Sequence, residues 1–162
     1  MPDMLVHLLK LPPLEPCLAE MHVQDIVIRR ANSFEITPVQ QYIAAHFSQG
    51  WADEVVPCFS RQPVSLFIAL SQGRIVGFSA CEATRRNFFG PTGVTPELRG
   101  RGIGRALLLA ALHYLHDYGY AYAIIGGVGP SDFYSRVVDA ILIPNSTPGI
   151  YTDLLSKSAI DP

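Results

Sequence analysis

Apolar positions recur along the chain at two spacings, every three to four residues and every second residue, and the changes between them mark out the elements. Residues 1–24 hold Leu and Val in apolar pairs broken by Pro12, Pro13 and Pro16, with no sustained period. They read as an apolar leader that packs on the rest of the chain or on a partner, and residues 25–162 as a single domain. The run IVIRRA within 25–31 predicts a first strand. Thr37 then supplies a hydroxyl cap, Pro38 the first helical position and Gln40 the third member of a capping box. Val39, Tyr42, Ile43, His46 and Phe47 share one face of that helix, which ends at Gly50, and His46 reads as core. A shorter helix is expected over 51–60, with Pro57 against it.

Strands are expected over 64–70 and 74–84, joined into an antiparallel hairpin by Ser71, Gln72 and Gly73. A further strand over 88–94 contains Pro91, which cannot donate to a ladder, between Gly90 and Gly93. A bulge or a departure from pairing is expected there. The helix predicted over 103–118 is apolar beyond one stripe: Leu107, Leu108, Ala111, Leu112 and Leu115 share a face, while Leu109 and Tyr114 lie elsewhere. Such a helix is covered on more than one side, and Gly119 ends it. Residues 120–126 then form a short strand parallel to 88–94, and Ser131 caps a short helix carrying Phe133 and Tyr134. Closing strands are expected over 141–143 and 149–155, across the loop 144–148.

Composition narrows this reading. A chain of 162 residues, 49% hydrophobic and 16% charged, supports one well-buried domain. A net charge of −2, with arginines gathered near 85–86 and 99–105 rather than along a broad face, speaks against a nucleic-acid partner. Cys17, Cys58 and Cys81 form neither a disulfide framework nor a zinc pattern, and His113 and His116 stand three apart without further ligands, so no metal is expected. No signal peptide and no membrane-length apolar run is present, which predicts a cytoplasmic protein without membrane association. The apolar leader and the broad apolarity of the helix over 103–118 make a homodimer reasonable.

The chemistry concentrates where the strand over 88–94 passes through ELRGRGIGR into the following helix. The first turn of a helix presents N–H groups without intrahelical partners and the positive end of the macrodipole. Gly100, Gly102 and Gly104 lack a Cβ and admit an anion to the backbone, and Arg99, Arg101 and Arg105 add guanidinium forks. A diphosphate suits such a loop. The Gly-Lys-Ser/Thr of a nucleoside-triphosphate loop is missing, as is the glycine order of a dinucleotide fingerprint.

Arg99, Gly102 and Gly104 match the Gln/Arg-x-x-Gly-x-Gly/Ala signature of motif A, and the stretch resembles the GCN5-related N-acetyltransferase (GNAT) superfamily. In element order the resemblance covers residues 25–155. It implies an α/β (α+β) fold: a mixed, mostly antiparallel sheet of six to seven strands, flanked by about four helices and splayed between the fourth and fifth strands. It also implies acetyl-CoA as cofactor, with Val94 and Thr95 pairing with its pantetheine arm and Arg99, Gly100, Arg101, Gly102, Ile103, Gly104 and Arg105 holding its pyrophosphate. The implied activity is transfer of an acetyl group to the amine of a small molecule or peptide by direct attack in a ternary complex. A non-catalytic acyl-CoA sensor is the alternative.

By the same resemblance Tyr134 protonates the departing thiolate and touches the cofactor; otherwise its ring packs the short helix down. The family places an asparagine seven residues before this tyrosine, where the chain has Gly127, so Gly126, Gly127 and Gly129 offer close backbone approach instead. Glu82 alternates with Val76, Phe78 and Ala80, so a one-faced strand would bury its carboxylate as a general base. It would otherwise lie in water or pair with Arg85 or Arg86, and a water chain would then serve as the base. Family analogy sets the acceptor site among Phe47, Trp51, Asp53, Glu54, Asn145 and Tyr151. Asp53 and Glu54 also read as carboxylates favoured by the start of a helix.

Overall fold

The computed structural model of the protein describes residues 1–155. Seven strands form one sheet: β1 (Met4–His7), β2 (Ile26–Arg30), β3 (Leu66–Ser71), β4 (Arg74–Cys81), β5 (Phe88–Val94), β6 (Tyr122–Ile125) and β7 (Ile141–Leu142). Their order across the sheet is β2-β3-β4-β5-β6-β1-β7. Every neighbouring pair is antiparallel except β5 and β6, where the 16-residue helix α5 (Ile103–Tyr118) carries the chain back to the same end. The remaining helices are α1 (Glu15–Val23), α2 (Ile36–His46), α3 (Gln49–Glu54), α4 (Val56–Phe59) and α6 (Ser131–Val138). The mixed, mostly antiparallel sheet with flanking helices is the expected fold class.

Strand alternation separates two cores. Leu66 and Ile68 of β3 pack with Phe78 and Ala80 of β4 and with Val39, Ile43 and Ala52 of the α2–α4 layer. Phe67 and Ala69 face the other way, toward Leu107, Leu108 and Leu112 of α5 and Met21 of α1. With both faces buried, β3 reads in the sequence as an unbroken apolar run. Helix α5 lies on β3, β4 and β5 and is also touched by α1 and the turn at Leu8–Lys10. Its apolar breadth, which made a second copy reasonable, is therefore used within the chain.

Residues 1–24, expected to pack on the rest of the chain or on a partner, add a strand to the sheet and a helix to its core. Met4–His7 pair with β6 on one edge and Met4 and Leu5 pair with β7 on the other, and Met4, Val6 and Leu8 are buried. Helix α1 follows, with Cys17 and Met21 in the core shared with α5. The expected end of the domain at 162 lies outside the described residues. Within them, no helix is long and apolar enough to cross a membrane, and no group of three or more His, Cys, Asp or Glu side chains is placed to hold a metal ion.

Several element ends differ from expectation. Helix α2 starts at Ile36, not at a Thr37 cap, because Asn32 and Glu35 form a capping box one turn earlier. The expected helix over 51–60 starts at Gln49, capped by Ser48, and breaks at Val55 before Pro57. Ser131 is the first residue of α6 and caps nothing; Pro130 precedes it. The segment 149–155 is turns and bends rather than a strand, and β7 is only two residues long.

The Glu35 carboxylate also takes a bidentate pair of bonds from Arg29 at 2.8 and 2.6 Å and the Asn32 N–H at 2.7 Å. The Arg29 guanidinium, above all, holds its pKa down at about 2. The stabilisation is fully present above pH 4.5, the ordinary value, and is lost as pH falls through about 2. With Arg29 35% exposed, solvent screening reduces the contribution to about 1–2 kcal/mol. Glu35→Gln is expected to lose that amount at pH 7 and to show a flatter loss of stability from pH 5 to pH 2 in denaturant titrations.

Candidate functional site

The site begins at a fault in the sheet. Along one edge β5 pairs with β4, from Gly77↔Val94 to Cys81↔Phe89, with a register shift between Ser79 and Cys81. Along the other edge it meets β6 only at Phe88↔Ile124 and Phe89↔Ile125. From Gly90 onward the two strands separate, and that edge of β5 borders a cleft of about 690 Å³. The splay expected between the fourth and fifth strands lies here; β1 shifts the numbering by one.

At the far end of β5 the turn Pro96–Leu98 leads into the glycine-arginine loop. Gly100 and Gly102 have φ of +77° and +87°, in the left-handed region where a side chain is strained. The first main-chain bond of α5 runs from the Ala106 N–H to the Gly102 carbonyl at 3.0 Å. Among the described residues, the N–H groups of Gly100 through Arg105 donate to no protein acceptor. Six consecutive unpaired amides at the positive end of a 16-residue helix make an anion site.

The side chains around this row divide. Val94, Arg99, Gly100, Gly102, Ile103, Gly104 and Arg105 line the cleft, and the Arg99 Nε donates to the Val94 carbonyl at 3.1 Å. Two expected members do not line it. Arg101 is turned outward, its Nε donating to Gln24 Oε1 and its carbonyl accepting from Gln24 Nε2, both at 3.1 Å. Thr95 bonds the Tyr42 hydroxyl at 2.8 Å, and its N–H is given to Val76. Met21 of α1 lies behind Gly102, where a Cβ would come within 3.2 Å of its methyl group. The N-terminal helix thus braces the anion loop, which a search for periodicity in residues 1–24 does not show.

Opposite the loop, the cleft is closed by Gly126–Pro130 and by Phe133 and Tyr134 of α6. Tyr134 is 6% exposed, edge-on to Phe89 and Phe133, and burial alone pushes its phenol up to about 12. The Gly127 N–H, where the family pattern has an asparagine, donates at 2.8 Å to Asp3 Oδ1, a buried carboxylate that sequence reasoning missed. Asp3 also receives the Ile143 N–H on its carbonyl and gives its own N–H to Ser146, tying the start of the chain to both loops.

Glu82 is buried, as its place in the strand predicts, but away from the cleft. Both faces of β4 are buried, and the strand ends at Cys81. Glu82 has φ +55° and leaves the alternation. Its carboxylate ion-pairs with Arg61 at 2.9 Å, not with Arg85 or Arg86, and accepts the Tyr120 hydroxyl and the Asn87 N–H. It lines neither lobe of the cleft.

A second lobe of about 470 Å³ opens beside the first, sharing Met1, Trp51, Phe89–Pro91, Gly126 and Gly127 with it. Trp51 and Tyr151 line this lobe, and Tyr151 lies over Gly127, where a Cβ would come within 2.9 Å of the ring. Phe47 does not line it. That ring stacks on Trp51 and sits so close above Gly93 that a Cβ there would lie 2.4 Å away, so it supports the wall from behind. Asp53 is exposed and bonded to Gln49, Asn145 lies outside both lobes, and Glu54 faces the second lobe.

A family model described as the Acetyltransferase (GNAT) family matches residues 30–136, more than half of the chain. Comparison with curated protein sequences gives no match. Among solved structures, a GCN5-related glucosamine N-acetyltransferase region of a fungal multi-domain GH3 β-N-acetylglucosaminidase superposes with a TM-score of 0.71 at 20% identity, over 88% of this chain and 19% of that one. A GCN5-related N-acetyltransferase from Sphaerobacter thermophilus gives 0.61 at 19% identity, over 88% of this chain and 48% of the other. The GNAT acetyltransferase of Brucella melitensis, in complex with acetyl-CoA, gives 0.53 at 21% identity, over 68% and 80%. The chain thus spans about a fifth and about half of the first two, and at these identities the likeness is one of fold. With the family model spanning β5, the anion loop, α5 and most of α6, the chain belongs to the GNAT acetyltransferase family.

Proposed function

We propose that the protein is an acetyl-CoA-dependent N-acetyltransferase that modifies a primary amine by direct attack in a ternary complex. The observation that carries this reading is the row of unpaired amides from Gly100 to Arg105, set beside a strand edge that has lost its partner. A diphosphate fits the row, with Arg99 and Arg105 at its flanks. The free edge of β5 from Gly90 to Val94 offers main-chain groups to an extended amide-bearing arm. The neighbour from Brucella melitensis is itself a complex with acetyl-CoA.

Acetyl-CoA, when bound, supplies the acyl group as an activated thioester. The residues of the chain hold and orient it, and the Tyr134 hydroxyl keeps its proton inside the cleft throughout the physiological pH range. In this reading the C–N bond forms as the C–S bond breaks, and Tyr134 gives its proton to the sulfur. Among the described residues no carboxylate lines the larger lobe, and Glu82 is engaged elsewhere. The proton of the attacking amine therefore leaves through water.

Calorimetric titration with acetyl-CoA, followed by thiol release in the presence of a panel of primary amines, tests the reading. Saturable binding with amine-dependent thiol release is expected. Binding without release across the panel would make the protein an acyl-CoA sensor, and failure to bind would remove the proposal altogether.

A further inference from the structure

The second lobe has a lining of unequal character. Trp51, Phe88, Pro91, Pro148 and Tyr151 make its walls apolar, and among the described residues Glu54 is its one acidic side chain. Glu54 closes α3 instead of opening it, so the attraction of a carboxylate to a helix start does not explain its place. It is half-buried, with one oxygen accepting the Thr84 hydroxyl. Among the described residues no ion pair reaches Glu54; Arg85 donates to the Thr84 carbonyl at 2.9 Å and does not line the lobe.

Position within the cleft decides what this carboxylate can do. The residues where the two lobes meet, Met1, Trp51, Phe89–Pro91, Gly126 and Gly127, line both, whereas Glu54 lines only the second. A carboxylate beside an ammonium group stabilises the protonated form. The nitrogen that Glu54 holds is thus kept cationic and cannot be the nucleophile. We propose that the acceptor is a dibasic amine: a primary amine placed at the junction of the lobes, a short apolar stem against the aromatic walls, and a second cationic group paired with Glu54. The inference rests on the larger lobe being the acetyl-CoA site.

The test compares 1,4-diaminobutane and 1,5-diaminopentane with butylamine, using wild type, Glu54→Gln and Thr84→Val. Wild type is expected to favour a diamine over the monoamine at least about tenfold in kcat/KM, and Glu54→Gln to reduce that preference to near unity. Thr84→Val removes the hydroxyl bond but keeps the charge, so its preference is expected to stay. Trp51 is the single tryptophan of the chain and lines both lobes, so its fluorescence reports binding without turnover. Diamine titrations are expected to perturb it, with an affinity at least about tenfold weaker in Glu54→Gln.

A wild type indifferent to the second charge, or a Glu54→Gln that keeps the preference, would overturn the proposal. So would a Thr84→Val that loses it as fully as Glu54→Gln, because the role would then be structural. If acetyl-CoA binds and no amine is acetylated, the transferase reading fails by itself. The Trp51 titrations then decide the Glu54 assignment separately.

Discussion

Gly104→Glu is expected to weaken acetyl-CoA binding at least about a hundredfold while leaving the protein as stable as wild type. Gly104 has an ordinary helical backbone, and a Cβ there would meet Val94 Cγ2 at 3.7 Å and Phe133 at 3.9 Å, which is normal contact. The fold accepts the change. The new carboxylate stands in the first turn of α5, where the helix dipole favours it, and takes up the amides that the diphosphate needs while repelling its charge. Gly102 would be a poorer choice: its φ of +87° strains any side chain, and Met21 lies 3.2 Å from a Cβ there, so lost binding would mix with lost stability. Calorimetry and thermal melting together read the outcome. An unchanged dissociation constant in a fully folded Gly104→Glu variant would mean that the amide row does not hold the cofactor.

Much of this site is legible in the sequence because its requirements are local. Left-handed glycines at 100 and 102, an apolar helix opening at Ile103 and a proline inside the preceding strand each follow from short-range sterics. What escaped reading depends on distant partners. Strand β1 is four residues long and gains its stability from β6 and β7, more than a hundred residues away. Arg101 looks like a phosphate ligand until Gln24 draws it outward, and Glu82 looks like a buried base until Arg61 and Tyr120 engage it. Glu54 reads as a helix-start carboxylate as long as the helix is expected to begin at Trp51, but the Ser48 cap starts α3 at Gln49 and leaves Glu54 at its other end.

Tyr134→Phe is expected to lower kcat about a hundredfold or more, with acetyl-CoA affinity within about twofold of wild type. The phenylalanine ring keeps the edge contacts with Phe89 and Phe133, so only the hydroxyl is lost. Because burial raises this phenol to about 12, it stays protonated through neutral pH and contributes no falling limb to the wild-type rate profile below about pH 11. The linkage to stability has a definite sign. A folded pKa of about 12 against an ordinary value of 10.0 gives a stabilisation that is complete below pH 10 and lost as pH rises through 12. Wild type should therefore lose stability more steeply than Tyr134→Phe across that alkaline interval, which establishes the burial of the hydroxyl without reference to turnover. If the alkaline difference appears while kcat is unchanged, the hydroxyl is buried but idle, and the proton for the leaving thiolate comes from solvent. If both appear, the same buried oxygen accounts for the titration and the rate.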